Sequence, residues 1–214
     1  MKKGCILCLL ISVISFPLIA QNIIYSNLKE LLTQHGDTTA MLRVEKRSRN
    51  QIVLTGGADY RITVGDDESM CRRLKKRCFA VRDEKGNLYL NCHKLRYKKL
   101  RFGAWYAPAV QLGKNIYFCA MPLGSVIGGN FVEEDDVKLG GNIGDALAAS
   151  SLVTKRVCYE LNGETGKVDF LGKDRMLQLL KNYPELKQAY LKDDSQEAKH
   201  TFKYLLELQN KQKK

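Results

Sequence analysis

The feature that most constrains the fold is a series of short segments in which apolar and polar residues alternate, bounded by turn-forming residues. Alternation with a period of two is typical of a half-buried β-strand, and strands joined by short turns pair as antiparallel hairpins. We therefore predict an α+β fold, an antiparallel β-sheet built of hairpins with short helices and a helical C-terminus. The segments interpreted as strands are residues 40–45, 51–55, 60–64, 78–82, 88–92, 105–112, 115–121, 153–161 and 167–171.

Apolar residues at helical spacing occur near both ends of the chain. Residues 24–34 carry three leucines on one side, and Asp66 or Asp67 is expected to cap a short basic helix that reaches Lys76. We expect residues 21–192 to form a single domain, followed at 193–214 by a C-terminal helix and a frayed polar tail. Further helices are predicted over 143–152 and 173–181, from Pro184, and after a cap at Ser195, with a Gly-rich surface loop over 123–144.

The residues between Cys78 and Cys92 fix the register of one hairpin. A three-residue loop that ends in a left-handed Gly86 is a common connection and places Asp83 opposite Asn87. Counting back along the two strands places Cys78 opposite Cys92, at a separation that a disulfide tolerates. We predict that these two cysteines touch and are the candidate pair for a disulfide; the alternative is that they are two small apolar residues packed in the core.

The first 20 residues have the pattern of a signal peptide. Lys2 and Lys3 form a short positive start, residues 5–20 carry no charge, and Ala20 is a small residue suited to cleavage. The run is short for a membrane span, which needs about 20 apolar residues. An uncleaved anchor is the alternative; no later segment is apolar enough to span a membrane. We expect an exported protein, in the periplasm or outside the cell, that begins near Gln21.

Cleavage would change both the charge and the cysteine count. It lowers the net charge from +12 to +10 and leaves five cysteines in an oxidising compartment, so at least one thiol has no partner within the chain. No spacing of Cys and His matches a metal site, and we expect no cofactor. A basic exported surface favours an anionic glycan or a lipid headgroup as partner, and export removes cytoplasmic nucleic acid from consideration.

The strongest local signal is the basic stretch over residues 94–102. If the strand bulges at Lys98-Lys99, the apolar residues share one side and the cations share the other. The candidate binding residues are Lys94, Arg96, Lys98 and Arg101. The alternative is a solvated strand whose lysines block edge-to-edge pairing.

No catalytic motif is present, so we lean towards a protein that is not an enzyme. Cys92 and His93 are adjacent, but neighbouring residues of a strand point to opposite faces and cannot act as nucleophile and base. Trp105, Tyr106 and Tyr97 are candidates for an aromatic ligand platform or for the core. These observations favour an exported non-enzymatic binding protein of unknown ligand; the alternative is a secreted hydrolase acting on host or cell-envelope polymers.

Several short segments resemble an uncharacterised family of secreted proteins from Bacteroides-type gut bacteria. The resemblance covers most of residues 25–192 and implies an exported single-domain protein, with no catalytic residues assigned. The segments that carry it are Gly56-Gly57-Ala58-Asp59-Tyr60, Arg96-Tyr97, Arg101-Phe102-Gly103, and Tyr159-Glu160-Leu161 through Thr165-Gly166.

Overall fold

The computed structural model describes residues 21–39, 41–55, 57–121, 155–193 and 197–213. The predicted leader, the loop at 123–144, the helix at 143–152 and the cap at Ser195 lie outside the described residues. The remainder confirms the α+β fold: a large antiparallel sheet of hairpins carries short helices and a longer helix at the C-terminus.

The strands of the main sheet lie in the order β12-β11-β10-β9-β6-β5-β1-β2, with β4 attached to β9 and β3 to β4, and β7 and β8 form a separate small hairpin. Every pairing is antiparallel. The strands are β1 (Asn22–Tyr25), β2 (Asp37–Thr39), β3 (Arg43–Lys46), β4 (Tyr60–Thr63), β5 (Ala80–Arg82), β6 (Leu88–Asn91), β7 (Arg96–Tyr97), β8 (Leu100–Arg101), β9 (Tyr106–Leu112), β10 (Asn115–Ala120), β11 (Val157–Leu161) and β12 (Val168–Phe170).

The helices cover both faces of this sheet. They are α1 (Leu28–Thr33), α2 (Arg49–Thr55), α3 (Glu68–Lys76), α4 (Lys173–Leu179), α5 (Pro184–Lys192) and α6 (Ala198–Gln212), with a 3-10 turn at Cys92–Lys94. On one face, α1 and residues 92–104 pack on the sheet; on the other, α3 with β3 and β4 covers one half and the C-terminal helices cover the other. No helix within the described ranges is long and apolar enough to cross a membrane.

Local turn chemistry sets the hairpins as predicted. Val81 pairs with Tyr89, the amide of Asp83 donates to the carbonyl of Asn87 at 2.9 Å, and Gly86 has a φ of +81°. The β9–β10 hairpin likewise turns at Gly113, whose φ is +59°. Asp67 caps α3 by accepting a hydrogen bond from the amide of Met70.

The predicted pairing of Cys78 with Cys92 does not occur, because the ladder ends before it reaches them. Strand β6 ends at Asn91, and Cys92 begins the 3-10 turn, where its amide donates to the carbonyl of Trp105. The side chain of Cys92 therefore packs in the core cluster on one face of the sheet, and that of Cys78 packs in a cluster on the other. Both are buried free cysteines.

The disulfide instead joins Cys119 and Cys158, which face each other directly on β10 and β11. Both residues are buried beneath the start of α6. The bond closes a covalent loop of sequence separation 39. No turn motif links the two cysteines in the sequence, so their pairing depends on the order of the strands in the sheet.

Three other segments differ from the sequence prediction. Residues 22–25 form strand β1, so the first helix begins only at Leu28. Residues 49–55 form helix α2 and not a strand, because Ser48 and Gln51 build a reciprocal capping box. Helix α6 continues to Gln212, and the side chain of Gln209 donates to the carbonyl of Gln111, so most of the predicted frayed tail is ordered helix.

Candidate anion-binding site

The candidate site is centred on Trp105, which lies in the loop between β8 and β9. Trp105 has a φ of +74° and Gly103 a φ of +86°. A left-handed conformation is unfavourable for a bulky residue other than glycine, and such outliers concentrate at functional sites. The surroundings of Trp105 therefore hold it in a conformation that an isolated chain would avoid.

The segment 57–59 packs directly against this loop and fixes it. The amide of Ala58 donates to the carbonyl of Ala104 at 2.8 Å. A Cβ on Gly57 would lie 2.5 Å from that carbonyl oxygen and 2.8 Å from Cδ1 of Trp105, and Gly57 itself has a φ of +82°. Only glycine meets both the conformational and the steric requirement at this position.

Three cationic side chains converge on the Trp105 ring. The guanidinium carbons of Arg47 and Arg61 lie 5.1 Å and 5.7 Å from the ring centroid, and the Nζ of Lys75 lies 5.5 Å from it. Each distance is within the range of a cation–π interaction. The three cations come from β4, α3 and the segment after β3, so only the tertiary fold brings them together.

Arg47 is the buried member of the three. It donates to the carbonyl of Ala58 at 2.7 Å, to the carbonyl of Gln51 at 3.0 Å, and to the hydroxyl of Thr55. Burial lowers the pKa of its guanidinium, an effect that the nearby carboxylate of Asp59 partly offsets. Arginine nevertheless stays protonated in proteins, so Arg47 places a fixed positive charge beneath the ring while tying α2 to segment 57–59.

Lys75 is positioned by the end of α3. The buried side-chain amide of Asn91 donates to the carbonyls of Leu74, Lys75 and Cys78 at 3.0, 3.3 and 2.8 Å. The hydroxyl of Tyr106 also donates to the carbonyl of Leu74, at 2.7 Å. These bonds satisfy carbonyls that the end of a helix leaves without partners, and they fix the last turn from which Lys75 extends.

The half-buried carboxylate of Asp59, which lies near Arg47, is already engaged. Asp59 accepts hydrogen bonds from Nε of Arg156 at 3.1 and 2.9 Å and also contacts its terminal Nη2. By contrast, the side chains of Arg61 and Lys75 make no ion pair or hydrogen bond with any residue in the described ranges. Their charges are therefore available to a ligand.

Two adjoining clefts open beside Trp105. The larger has a volume of about 520 Å³ and is lined by four residues of the segment 45–51, three of them charged, with Thr55, Arg61 and Trp105. The smaller, of about 130 Å³, is lined by Arg61, Cys71, Lys75 and the Trp105 and Tyr106 rings among others. Glu45 is the sole carboxylate that lines either cleft in the described structure, and it is ion-paired with Arg43 at 2.7 Å.

The structure places Arg96, Lys98 and Arg101 on the β7–β8 hairpin and Lys94 in the 3-10 turn before it, and none of them lies at these clefts. Residues 96–101 form this hairpin and not one bulged strand, because the chain reverses at Lys98-Lys99, where Lys98 has a φ of +53°. The predicted separation of sides holds: Leu95 and Phe102 are buried, while the candidate residues Lys94, Arg96, Lys98 and Arg101 are exposed. None of the four lines the clefts beside Trp105.

The predicted aromatic platform is divided among three places. Trp105 is partly exposed at the site, Tyr106 is 1% exposed in the core, and Tyr97 packs edge-on against Phe170. Arg47, Arg61 and Lys75 were not among the sequence candidates. A signal that bears on this region is the Ser48–Gln51 capping box, which would have placed α2, and with it the wall of the larger cleft, directly after Arg47.

Comparisons with curated proteins and with solved structures found no significant match. A family model does match, over residues 23–212, and its description is a family of unknown function. The match covers nearly the whole described chain and includes every element that builds the Trp105 site. It confirms the resemblance to an uncharacterised family, and the chain therefore belongs to the DUF6563 family.

Proposed function

We propose that this chain is an exported, non-enzymatic binding protein of a Bacteroides-type bacterium and that it holds an anionic glycan in the cleft beside Trp105. The observation that carries the proposal is the convergence of Arg47, Arg61 and Lys75 on one tryptophan ring. Arg61 and Lys75 have no anionic partner among the described residues. A carboxylate or sulfate group of a ligand would supply that partner.

The chemistry of the cleft favours a glycan over a simple inorganic anion. Its volume of about 520 Å³ lies within the range of sites for small organic ligands. The Trp105 ring offers an apolar surface beside the cations, which suits a sugar ring that carries a charged group. A hydrolase would need a second acid or base in the cleft, whereas Glu45, the one lining carboxylate among the described residues, is already paired with Arg43.

Two observations support export. Residues 1–20 have the pattern of a signal peptide. The Cys119–Cys158 disulfide belongs to a class of bond that persists in oxidising compartments and is rare in the cytoplasm. Cell fractionation with N-terminal sequencing tests this part: we expect a chain that begins near Gln21 outside the cytoplasm, and an intact leader on a cytoplasmic protein would refute export.

Trp105 supplies its own reporter for the binding test, because it is the only tryptophan in the chain. Fluorescence titration with oligogalacturonate, and with the same oligomer methyl-esterified, compares a charged and a neutral form of one glycan. We expect a change in Trp105 emission with the charged form alone, weakened by added salt. An equal response to both forms, or no response, would refute an anionic ligand.

Substitution separates this site from general attraction to a basic protein. The Arg61→Gln/Lys75→Gln variant removes both unpaired cations, and we expect its affinity for oligogalacturonate to fall about tenfold or more. Lys211→Gln/Lys213→Gln removes the same charge from the exposed end of α6 and serves as the matched control. Equal losses in the two variants would show non-specific electrostatics and contradict the assignment of the cleft.

A further inference from the structure

We propose that the β7–β8 hairpin carries a second anion site, in which Arg96 and Arg101 together clamp a phosphate monoester. This site is independent of the Trp105 cleft, since none of its residues lines that cleft. It is carried by the register of the hairpin, which pairs Arg96 directly with Arg101.

The hydrogen-bonding pattern places the Cα atoms of these two residues at the shorter of the two spacings found in an antiparallel ladder. The amide of Phe102 donates to the carbonyl of Leu95, which makes that pair a hydrogen-bonded one. Because bonded and non-bonded pairs alternate in an antiparallel ladder, Arg96 and Arg101 form a non-bonded pair, with Cα atoms about 4.5 Å apart. Their side chains leave the hairpin from adjacent points on the same exposed face.

Two like charges in this position destabilise a hairpin unless something neutralises them. Neither Arg96 nor Arg101 has an ion pair or a side-chain hydrogen bond to any residue that the structure describes. Blocking of edge-to-edge pairing does not explain the arrangement, because β7 and β8 are two-residue strands of their own small sheet and offer little edge to protect.

The hairpin is also held rigidly enough to present a fixed site. Leu95 and Phe102 at its base are 2% and 6% exposed. The Phe102 ring packs edge-on against Phe118 and Tyr159, with centroids 5.3 and 4.7 Å away. On the same inward side, the Tyr97 ring packs against the Phe170 ring, with the two ring centroids 4.9 Å apart. The arginines therefore start from an anchored backbone, which reduces the entropy lost on binding.

The chemistry of the pair selects a phosphate monoester. Such a group carries a charge between about −1.5 and −2 at neutral pH, which matches two guanidinium groups. Its oxygens accept the parallel hydrogen bonds that an arginine fork donates, whereas a lysine binds only as a point charge. The monoester could belong to a lipid headgroup or to a soluble molecule, so the test includes both.

Vesicle co-sedimentation tests the clamp with lipids that differ in the phosphate alone. Phosphatidylcholine vesicles are doped with phosphatidic acid, a monoester, or with phosphatidylglycerol, a diester, to equal surface charge, and inorganic phosphate is the soluble probe. We expect preferential binding to phosphatidic acid, competed by inorganic phosphate. Binding of inorganic phosphate measured directly by calorimetry, without vesicle binding, supports the same clamp with a soluble ligand.

Three variants complete the test, after thermal unfolding has shown that each is folded. Arg96→Gln/Arg101→Gln should lower the affinity for the monoester about tenfold or more, and Arg96→Lys/Arg101→Lys should keep the charge but lose the preference for monoester over diester. Arg61→Gln/Lys75→Gln should bind these vesicles as the wild type does, which separates this proposal from the glycan site. Unchanged binding by the glutamine variant, or equal preferences in the wild type and the lysine variant, would overturn the clamp.

Discussion

The Cys119–Cys158 disulfide should account for a large part of the stability of the folded domain. A cross-link restricts the unfolded chain by an entropy of about 2.1 + 1.5R ln n cal/mol/K, where n is the loop length. For the sequence separation of 39, this corresponds to about 4 kcal/mol at 25 °C. We expect reduction of the bond to lower the free energy of unfolding by about 3–4 kcal/mol.

Urea unfolding of the same protein with and without a reductant measures this difference without any change to the amino-acid sequence. Alkylation of the unfolded, unreduced protein should modify Cys71, Cys78 and Cys92 but leave Cys119 and Cys158 unmodified. A Cys119→Ala/Cys158→Ala variant should match the reduced protein and no longer respond to the reductant. Cys71→Ser should keep the full response, since Cys71 is a free cysteine.

A decrease in the free energy of unfolding of less than about 1 kcal/mol on reduction would refute the stabilisation by loop entropy. It would mean that β10 and β11 stay associated in the unfolded state, so the bond restricts little. Labelling of Cys119 and Cys158 without reduction would refute the bond itself. The two results differ, because only the second requires another pairing for the cysteines.

Three further perturbations test the architecture around the site. Gly57→Ala should lower the free energy of unfolding by about 2 kcal/mol more than Gly86→Ala does. Both glycines have a positive φ, but only Gly57 has Trp105 and Ala104 packed against it. Equal decreases in urea unfolding would contradict the steric argument. Asn91→Asp keeps the side-chain volume but should lower the free energy of unfolding by about 3 kcal/mol, because a carboxylate cannot donate to the three carbonyls that Asn91 satisfies. A decrease under about 1 kcal/mol would show that these carbonyls find other partners. The hydrogen bonds from Arg175, with smaller contributions from Tyr117 and Asn115, hold the pKa of Glu160 below its usual range despite partial burial. The stabilisation that the Glu160 carboxylate contributes is therefore present above its unfolded pKa of about 4.3 and is lost as the pH falls through its lower folded pKa. Glu160→Gln should flatten this part of the acid unfolding profile. Parallel profiles of the variant and the wild type would contradict this contribution of Glu160.

The parts of the fold that sequence predicted well are those set by neighbouring residues. Asp83 to Asn87 determines the β5–β6 register because a short turn leaves few ways to pair the strands on either side. The same locality explains the Asp67 cap. The prediction of a strand over residues 51–55 is wrong because a short apolar run fits a strand or a helix equally, and the Ser48–Gln51 capping box selects the helix.

The candidate site depended on contacts between distant residues. The sequence drew attention to the basic stretch 94–102, where cations are consecutive, and it correctly placed the cations and the apolar residues on opposite sides. It did not single out Arg47, Arg61 or Lys75, because Arg61 is a lone cation in its strand and the other two lie among further cations, in residues 46–49 and 72–77. Their shared position around Trp105 follows from the pairing of β4 with β9 and the packing of α3 on β4.

By itself, the sequence determined the α+β class, most strand positions and the separation of the sides of the basic hairpin. Each of these follows from residue periodicity or from turns of a few residues, where local conformational energy dominates. The tertiary structure alone decided which cysteines bond and which cations meet at Trp105. Cys119 meets Cys158, and Trp105 meets the cations of the β3–β4 and α3 region, only because β-strands distant in the chain become neighbours in the sheet. The free energy that selects those neighbours comes from burial of the whole core, and no single segment of the sequence carries it.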